Sequence, residues 1–144
     1  MVSTNHAWNE LGMYNVKVKA KDSGGAESEW SNPLIVVMED TDKPVVDITK
    51  PKNALYLNNS KIFPFFVTFV IGVIDIEATA TDSGIIDRVE FYIDNELKAI
   101  DNSEPYIWRW SEQSQRKFIH KINVIAYDST GKNTNQEIKV IKLL

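Results

Sequence analysis

The stretch that decides the fold runs from Ile74 to Gly84 and reads IDIEATATDSG. Its apolar side chains occupy every second position, at Ile74, Ile76, Ala78 and Ala80, and polar residues lie between them. A period of two puts all four on one face of an extended strand and is typical of a strand with one buried face. The Asp-Ser-Gly that follows favours a tight turn, because aspartate bonds to the backbone after it and glycine accepts a positive φ. The stretch therefore predicts a half-buried strand closed by a turn.

The same unit of strand and turn occurs twice more. Residues 14–25 read YNVKVKAKDSGG, and residues 120–131 read HKINVIAYDSTG. In each copy apolar residues alternate with other residues, and each closes on Ala-x-Asp-Ser. The chain thus carries a weak internal repeat of strand-plus-turn units.

Further strands are predicted between and beyond these units, at residues 34–38, 89–93, 97–100 and 106–110 and from Ile138 onward. Asp94-Asn95-Glu96 is predicted to be a hairpin turn. No window of eleven or more residues has the apolar spacing of a helix. Short strands with a turn about every ten residues predict an all-β sandwich.

Residues 62–74, IFPFFVTFVIGVI, form the most apolar stretch of the chain. They are too few for a membrane-spanning helix, which needs about 20 apolar residues, and proline and glycine interrupt them. Their aromatic and β-branched content instead predicts a strand buried on both faces. We therefore expect no membrane span.

Composition excludes some classes of partner and site. The chain has 144 residues, of which 43% are hydrophobic, and a net charge of −4. It has no block of basic residues, so we expect no nucleic-acid partner. It has no cysteine, which excludes disulfides, thiolate zinc sites and a cysteine nucleophile. The N-terminus shows no basic stretch followed by an apolar core, so no signal peptide is visible.

Two families resemble parts of the chain. Residues 6–22, HAWNELGMYNVKVKAKD, resemble the C-terminal half of a polycystic-kidney-disease (PKD) repeat. The residues in its register are His6, Trp8, Gly12, Tyr14, Val16 and Val18. Residues 25–31, GAESEWS, look like the final turn of that repeat. Residues 87–94, 104–110 and 120–128 are similar to immunoglobulin-like domains of archaeal and bacterial surface proteins.

These resemblances set the expected domains. We expect a partial PKD-like β hairpin at residues 1–39, a linker at 40–44 and an immunoglobulin-like antiparallel β-sandwich at 45–144. A PKD repeat has further strands upstream, so the chain would be a fragment or its hairpin would pair elsewhere. The N-terminal strands would dock on the second domain or drive self-association, because orphan strands expose unpaired backbone groups.

Enzyme chemistry has weak support, and no catalytic or cofactor-binding residues are predicted. His120 lies two residues before Ile122, on the apolar face of its predicted strand, which favours a hydrogen-bonded core histidine. His6 also occupies a strand position of the family it resembles. The glycine-serine elbow, the paired-histidine zinc motif and the phosphate-binding glycine loop do not occur. Nothing in the sequence brings a carboxylate pair such as Glu10 and Asp22 to a working distance.

Two binding roles remain open. Calcium would take oxygen ligands from loops, but the same aspartates suit turns, and no metal ligand or cofactor is predicted. Four tryptophans could offer sugar-stacking surfaces, although Trp108 and Trp110 on one strand face suit a core better. The calcium candidates are Asp40, Asp42, Asp47, Asp82, Asp87 and Asp128; the aromatic candidates are Trp8, Trp30, Tyr106, Trp108 and Trp110.

The sequence therefore predicts a non-catalytic structural or adhesive module of a larger protein. The resemblances imply an extracellular or cell-surface location and a role in spacing or protein interaction. Its partners would be neighbouring domains, other surface proteins or further copies of the chain. The alternative is a carbohydrate-binding module that binds glycans through exposed tryptophans.

Overall fold

The protein is represented by a computed structural model, which describes residues 6–8, 10–39, 42–113 and 117–144. The chain divides into two compact units, Met1–Thr41 and Asp42–Leu144. All regular elements of the described residues are β-strands. The all-β prediction is therefore confirmed, and no described segment is a helix with the length and apolar character needed to cross a membrane.

The first unit contains a two-stranded antiparallel sheet of β1 (Gly12–Val16) and β2 (Leu34–Met38). The alternating strand predicted from Tyr14 to Ala20 is wrong beyond Val16. From Val18 the backbone still faces residues 26–31, but regular pairing stops. Ser31 Oγ accepts from the Val18 N–H at 3.1 Å and Ser28 Oγ from the Ala20 N–H at 2.9 Å, where a ladder would use backbone carbonyls. These local bonds end the ladder.

The second unit contains ten strands among its described residues. They are β3 (Val45–Lys50), β4 (Ala54–Leu57), β5 (Ser60–Pro64), β6 (Thr68–Ile71), β7 (Ile74–Thr81), β8 (Ile86–Ile93), β9 (Glu96–Asp101), β10 (Tyr106–Trp110), β11 (Ile119–Asp128) and β12 (Asn133–Leu143). A three-stranded sheet has the order β10-β7-β3, and a seven-stranded sheet has the order β5-β4-β6-β12-β11-β8-β9. Most pairs are antiparallel, but β6 pairs in parallel with both β12 and β4.

One buried cluster joins the two sheets of the second unit. The three-stranded sheet supplies Ile48, Ile76 and Trp110, and the seven-stranded sheet supplies Phe91 and Val124. Each strand contributes alternate residues, as β7 shows with Ile74, Ile76, Ala78 and Ala80 all buried. The alternation of apolar residues therefore becomes the inner face of a sandwich.

Residues 62–74 do not form the predicted buried strand. They divide into the end of β5, a loop, β6, a bend and the first residue of β7. β5 is exposed along its whole length, and Phe66 in the loop is 78% exposed. Pairing and position in the sheet decide burial here: β5 is an edge strand, whereas Val70 of β6 lies inside and has no exposed surface.

The chain crosses the second unit from one end to the other. At one end of the unit β3 begins, where Val45 pairs with Thr81 at the end of β7. At the same end Asp128 of β11 pairs with Ile86 at the start of β8, and β12 begins a few residues later. This end of the sandwich is called the entry end. Gln136 of β12 bonds to Asp47 of β3 at 2.9 Å, so both strands start there and run the same way. β12 finishes at the opposite, exit end, where the Leu143 carbonyl accepts from Gly72 N–H at 2.8 Å.

Candidate functional site

The histidine that sequence singled out lies at the exit end, next to a carboxylate. His120 Nδ1 is 2.8 Å from Asp94 Oδ2, and its Nε2 is 3.0 Å from the Lys117 carbonyl oxygen. The ring packs edge-on against Trp110, with centroids 5.2 Å apart, and only 11% of the side chain is exposed. Both ring nitrogens are therefore bonded within the protein. This arrangement is the hydrogen-bonded histidine that its parity in β11 predicts.

Asp94 holds the corner around His120 together. Its Oδ1 also accepts from the Lys121 backbone N–H at 3.0 Å and pairs with Lys117 Nζ at 2.9 Å. Burial alone would raise the pKa of Asp94, but the bonds from Lys117, Lys121 and His120 outweigh it and lower the pKa to about 2. A carboxylate held in its charged form by three partners suits a structural anchor better than a proton-transfer group.

A lysine that sequence analysis did not single out is buried beside this corner. Lys142 has no exposed surface, and its Nζ donates to the Glu112 carbonyl at 2.8 Å and to the Leu144 carbonyl. The ammonium also lies 5.1 Å from the centre of the Trp110 ring. Burial lowers the pKa of Lys142. The only indication in the sequence that Lys142 is buried is its position two residues after the inward-facing Val140, on the same face of the strand.

The structure separates the acidic residues that sequence could not distinguish. Asp47 pairs with Lys52 at 3.1 Å and also accepts from Gln136, and Asp87 pairs with Arg88 at 2.8 Å. Their oxygens are thus engaged by side chains. Asp42 lines a surface groove with Asp82, and Asp40 lies outside the described residues.

Asp82 and Asp128 differ from the other candidates. Asp128, 1% exposed, uses its Oδ1 to accept from Thr130 N–H at 2.7 Å, Thr130 Oγ1 at 2.7 Å and Lys132 N–H at 2.9 Å. Its Oδ2 and both carboxylate oxygens of Asp82 are buried and have no hydrogen-bond partner. Both residues lie at the entry end, at the ends of β11 and β7. Of these two residues, Asp128 binds the backbone of its own turn, as the Asp-Ser pattern predicts, and Asp82 does not.

The tryptophans of β10 do not form an exposed platform. Trp110 is 2% exposed and belongs to the core, and Trp108 is half-buried and packs against that core. Tyr106 is also buried. Sugar stacking needs an accessible ring face, and the burial of Trp110 and the packing of Trp108 against the core favour the core role that the sequence predicts for them.

The candidate residues of the first unit make contacts within that unit. Trp8 packs between His6 and Tyr14, with centroid distances of 4.8 Å and 5.5 Å. Tyr14 donates to the Glu10 carbonyl at 2.8 Å, and Asp22 Oδ1 accepts from the Gly24 and Ala26 N–H groups at 2.9 Å. Trp30 is 58% exposed, with Lys19 Nζ 5.2 Å from its ring centre.

The sandwich of the second unit is similar to domains of known proteins. Residues 44–140 match the family model described as a bacterial Ig domain. The chain is also similar to the fibronectin(III)-like modules of Clostridium thermocellum CbhA, with 31% identity and a TM-score of 0.57 over 92% of this chain and 63% of that one. The chain thus spans less than two thirds of the solved CbhA structure. No curated protein sequence matches it.

Two other solved structures are more distant. One is a Jonesia denitrificans lytic polysaccharide monooxygenase, with 16% identity and a TM-score of 0.42 over 58% of this chain and 61% of that one. The other is Bacteroides ovatus SGBP-B of a mixed-linkage glucan utilization locus, in complex with a mixed-linkage heptasaccharide, with 15% identity and a TM-score of 0.45 over 73% of this chain and 25% of that one. Neither likeness carries a functional argument.

The immunoglobulin-like prediction is confirmed by the family match and by the two-sheet sandwich with one core. The matched residues make up more than half of the chain and fall within the second unit. The chain therefore belongs to the bacterial Ig domain family.

Proposed function

We propose that this protein is a non-catalytic structural and adhesive module of a secreted or cell-surface multidomain protein, and that it spaces its neighbours. The observation that carries the proposal is the path of the chain: β3 begins at the entry end of the second unit, and β12 finishes at the exit end. Modules of this kind join end to end. The similarity to the CbhA fibronectin(III)-like modules supports a modular setting of the same type.

The dimensions of β12 suit a spacer. Its 11 residues run from the entry end to the exit end, which corresponds to about 35 Å of extended strand. Pulling on the two ends loads β12 along its length against β11 on one side and β6 on the other. Strands loaded in this way must break several ladder hydrogen bonds together, so the unit should resist extension.

The chemistry at the exit end supports a role without catalysis. The histidine there has both ring nitrogens bonded, and the aspartate beside it is held in its charged form. Loops held by a rigid scaffold often carry binding residues, and the sandwich would present its loops in this way. The extracellular location rests on resemblance to surface-protein domains.

The first unit would supply the adhesive part. Its β1–β2 hairpin would belong to a PKD-like repeat and would associate with a neighbouring domain or with a second copy. Exposed apolar side chains support this: Met13 is 69% exposed, Leu34 65% and Ile35 57%. Sedimentation velocity over a range of concentrations tests self-association. A monomer at every concentration would contradict that part of the proposal.

Single-molecule stretching tests the spacer role. The chain contains no cysteine, so Lys43→Cys and Leu144→Cys provide specific handles at the two ends. We expect one unfolding event that releases roughly 100 residues, or about 300 Å of extended chain. The matched control places the first handle at Asn95, in the β8–β9 turn at the exit end, so that the force peels strands apart.

The end-to-end geometry should need a clearly higher force than the control geometry. Extension in many small steps at low force, or equal forces in both geometries, would contradict the spacer role.

A further inference from the structure

A row of apolar side chains crosses five neighbouring strands of the seven-stranded sheet. The strand pairings place each member of the row opposite the next. From β11 to β5 the row consists of Ile119, Ile141, Phe69, Leu55 and Phe63. Residues that pair directly across two strands lie on the same side of a sheet. All five side chains therefore share one face.

That face is the outer one. Val140, Val70 and Ala54 alternate with members of the row and belong to the buried core, so the row lies on the side away from the core. A second row follows it towards the exit end and consists of Leu143, Ile71 and Leu57. The eight side chains of the two rows are called the apolar face.

The outer side of the sheet changes character towards the entry end. There Lys121 lies opposite Lys139, and Asn123 lies opposite Glu137. The sheet is thus polar outside near its entry end but apolar on both sides near its exit end. Strands that are apolar on both sides are typical of sheets that are covered on both sides. The apolar face therefore has the character of a surface that another structure covers.

The apolar face has the size of a weak protein interface. Leu57, Phe63 and Ile119 are 47%, 48% and 59% exposed, and the other five side chains are half-buried. If a large apolar side chain offers about 200 Å² when fully exposed, the eight together expose roughly 500 Å². Two such faces would bury about 1,000 Å² in total, which is near the lower bound for a specific interface.

We propose that the apolar face packs against the same face of a second copy of this chain. The face carries no charged side chain, so its partner must be equally apolar and must fit a sheet surface. A second copy offers such a surface, because two sheets pack face to face by interdigitating their side chains. Symmetric dimers use one patch twice in this way. A shallow groove lined by Leu55, Phe63, Phe65 and Phe69 gives the face a recess for the partner's side chains.

The lysines beside the apolar face determine how the two copies are oriented. Lys121 and Lys139 border it on the entry side only. A two-fold axis parallel to the rows puts the lysines of the two copies on opposite sides of the interface, where like charges do not meet. The same axis sets each strand opposite its own counterpart, so Ile119 of one copy faces Ile119 of the other. The two copies then run in opposite directions.

Sedimentation equilibrium of the full chain tests the dimer. We expect a monomer–dimer equilibrium in the micromolar range, because the interface is small. A monomer at every concentration would overturn the proposal. Dimerisation goes beyond the spacer role, which does not depend on it.

Charge substitutions locate the interface. Ile119→Glu and Phe63→Glu each place a carboxylate opposite its own counterpart, so each should weaken the dimer at least tenfold. Both side chains are exposed, so the Tm should stay close to that of the wild type. Ile100→Glu is the matched control, because Ile100 is 52% exposed but lies in β9, at the other edge of the same sheet. A dimer that survives Ile119→Glu and Phe63→Glu, or that Ile100→Glu weakens equally, would overturn the proposal.

One further variant separates this interface from association through the first unit. Leu34→Glu changes an exposed residue of the β1–β2 hairpin and should leave the dimer intact. A dimer that Leu34→Glu abolishes and Ile119→Glu does not would assign the association to the hairpin and would overturn the assignment to the apolar face.

Cross-linking tests the orientation of the two copies. The chain has no cysteine, so Ile119→Cys provides one reactive thiol in each copy. A short bismaleimide should join two Ile119→Cys chains efficiently at concentrations where the dimer forms, and should leave Ile100→Cys chains largely unlinked. Equal yields from the two variants would contradict the two-fold arrangement.

Discussion

Single buried side chains carry the stability of the sandwich. Phe91 lies within β8 with no exposed surface and belongs to the cluster that joins the two sheets. Removing an aromatic side chain from such a position loses its burial and leaves a cavity. Buried positions of this kind therefore contribute most to the free energy of unfolding.

Phe91→Ala should lower the free energy of unfolding of the second unit by about 3–5 kcal/mol. Urea unfolding followed by tryptophan fluorescence measures the loss. Phe66→Ala is the matched control, because Phe66 is 78% exposed and its removal should cost no more than about 0.5 kcal/mol. Equal losses in the two variants would contradict the core described here.

Asp94 makes stability depend on pH. Its pKa is about 2 in the folded protein and about 3.9 in an unfolded chain. A carboxylate whose pKa is lower when folded stabilises fully above the unfolded value and loses this effect as pH falls towards the folded value. After allowance for solvent screening, its contribution is about 1–2 kcal/mol above pH 4 and fades between pH 4 and pH 2.

Asp94→Asn should therefore destabilise the protein at pH 7 by about that amount and make little difference near pH 2. Urea unfolding at several pH values measures the difference. Glu96→Gln in the same hairpin is the control, because the Glu96 side chain is 74% exposed. A difference between Asp94→Asn and wild type that stays constant across pH would show that charge is not the cause.

Two hairpin turns in the second unit use the same backbone conformation with different side-chain roles. Asp94 and Asn95 have φ of 51° and 74°, and Asn58 and Asn59 have φ of 44° and 72°. Positive φ at both central positions is typical of the turns that join antiparallel strands, and asparagine and glycine tolerate it. Asn59 also anchors its turn, because it accepts from the Asp75 N–H at 2.9 Å and donates to Asp75 Oδ2 at 2.5 Å.

Glycine substitution should separate these roles. Asn95→Gly should leave stability unchanged or raise it by a few tenths of a kcal/mol, because glycine accepts the same φ. Asn59→Gly keeps the φ but loses the bonds to Asp75, so it should cost about 1 kcal/mol or more. Thermal unfolding of both variants measures this. An equal effect at the two positions would mean that the side-chain bonds of Asn59 add nothing.

The edge strand β5 is an element that invites association. It is exposed throughout, with Ile62 at 51% and Phe63 at 48%, and it has a free edge. Exposed apolar edge strands promote pairing between chains, and a charged residue suppresses it. Ile62→Lys should reduce light scattering on prolonged incubation and leave the Tm within a few degrees of the wild type. Unchanged scattering would show that the β5 edge does not drive association.

Local pattern predicted the half-buried strands well. Alternation placed β7, β8 and β11 and their inner faces, because a period of two is a property of the strand itself. It failed for residues 62–74, where apolar content gave no indication of which residues would lie at a sheet edge. It also failed after Val16, where the hydroxyl groups of Ser28 and Ser31 accept from backbone N–H groups and interrupt the regular ladder.

The candidate site shows the same limit. Sequence analysis named Asp82 and Asp128 as calcium candidates but could not separate them from Asp47 and Asp87. The difference lies in contacts made by distant residues: Gln136 and Lys52 reach Asp47, and the fold buries Asp82 without a donor. Such information exists only once the two sheets have come together.

At the scale of the whole molecule, the second unit depends on two sheets acting as one sandwich. The three-stranded sheet is too small to bury a face by itself, and its inner residues lie in the same cluster as those of the seven-stranded sheet. Two elements that share a core should unfold together. The proposed spacer role rests on this cooperation.

Native-state hydrogen exchange of the full chain tests that cooperation most directly. The amides of β7 in one sheet and of β8 and β11 in the other should exchange with the same opening free energy, equal to the global value from urea unfolding. The exposed edge strand β5 should exchange earlier. A three-stranded sheet that opens at a clearly lower free energy than β8 and β11 would contradict the account.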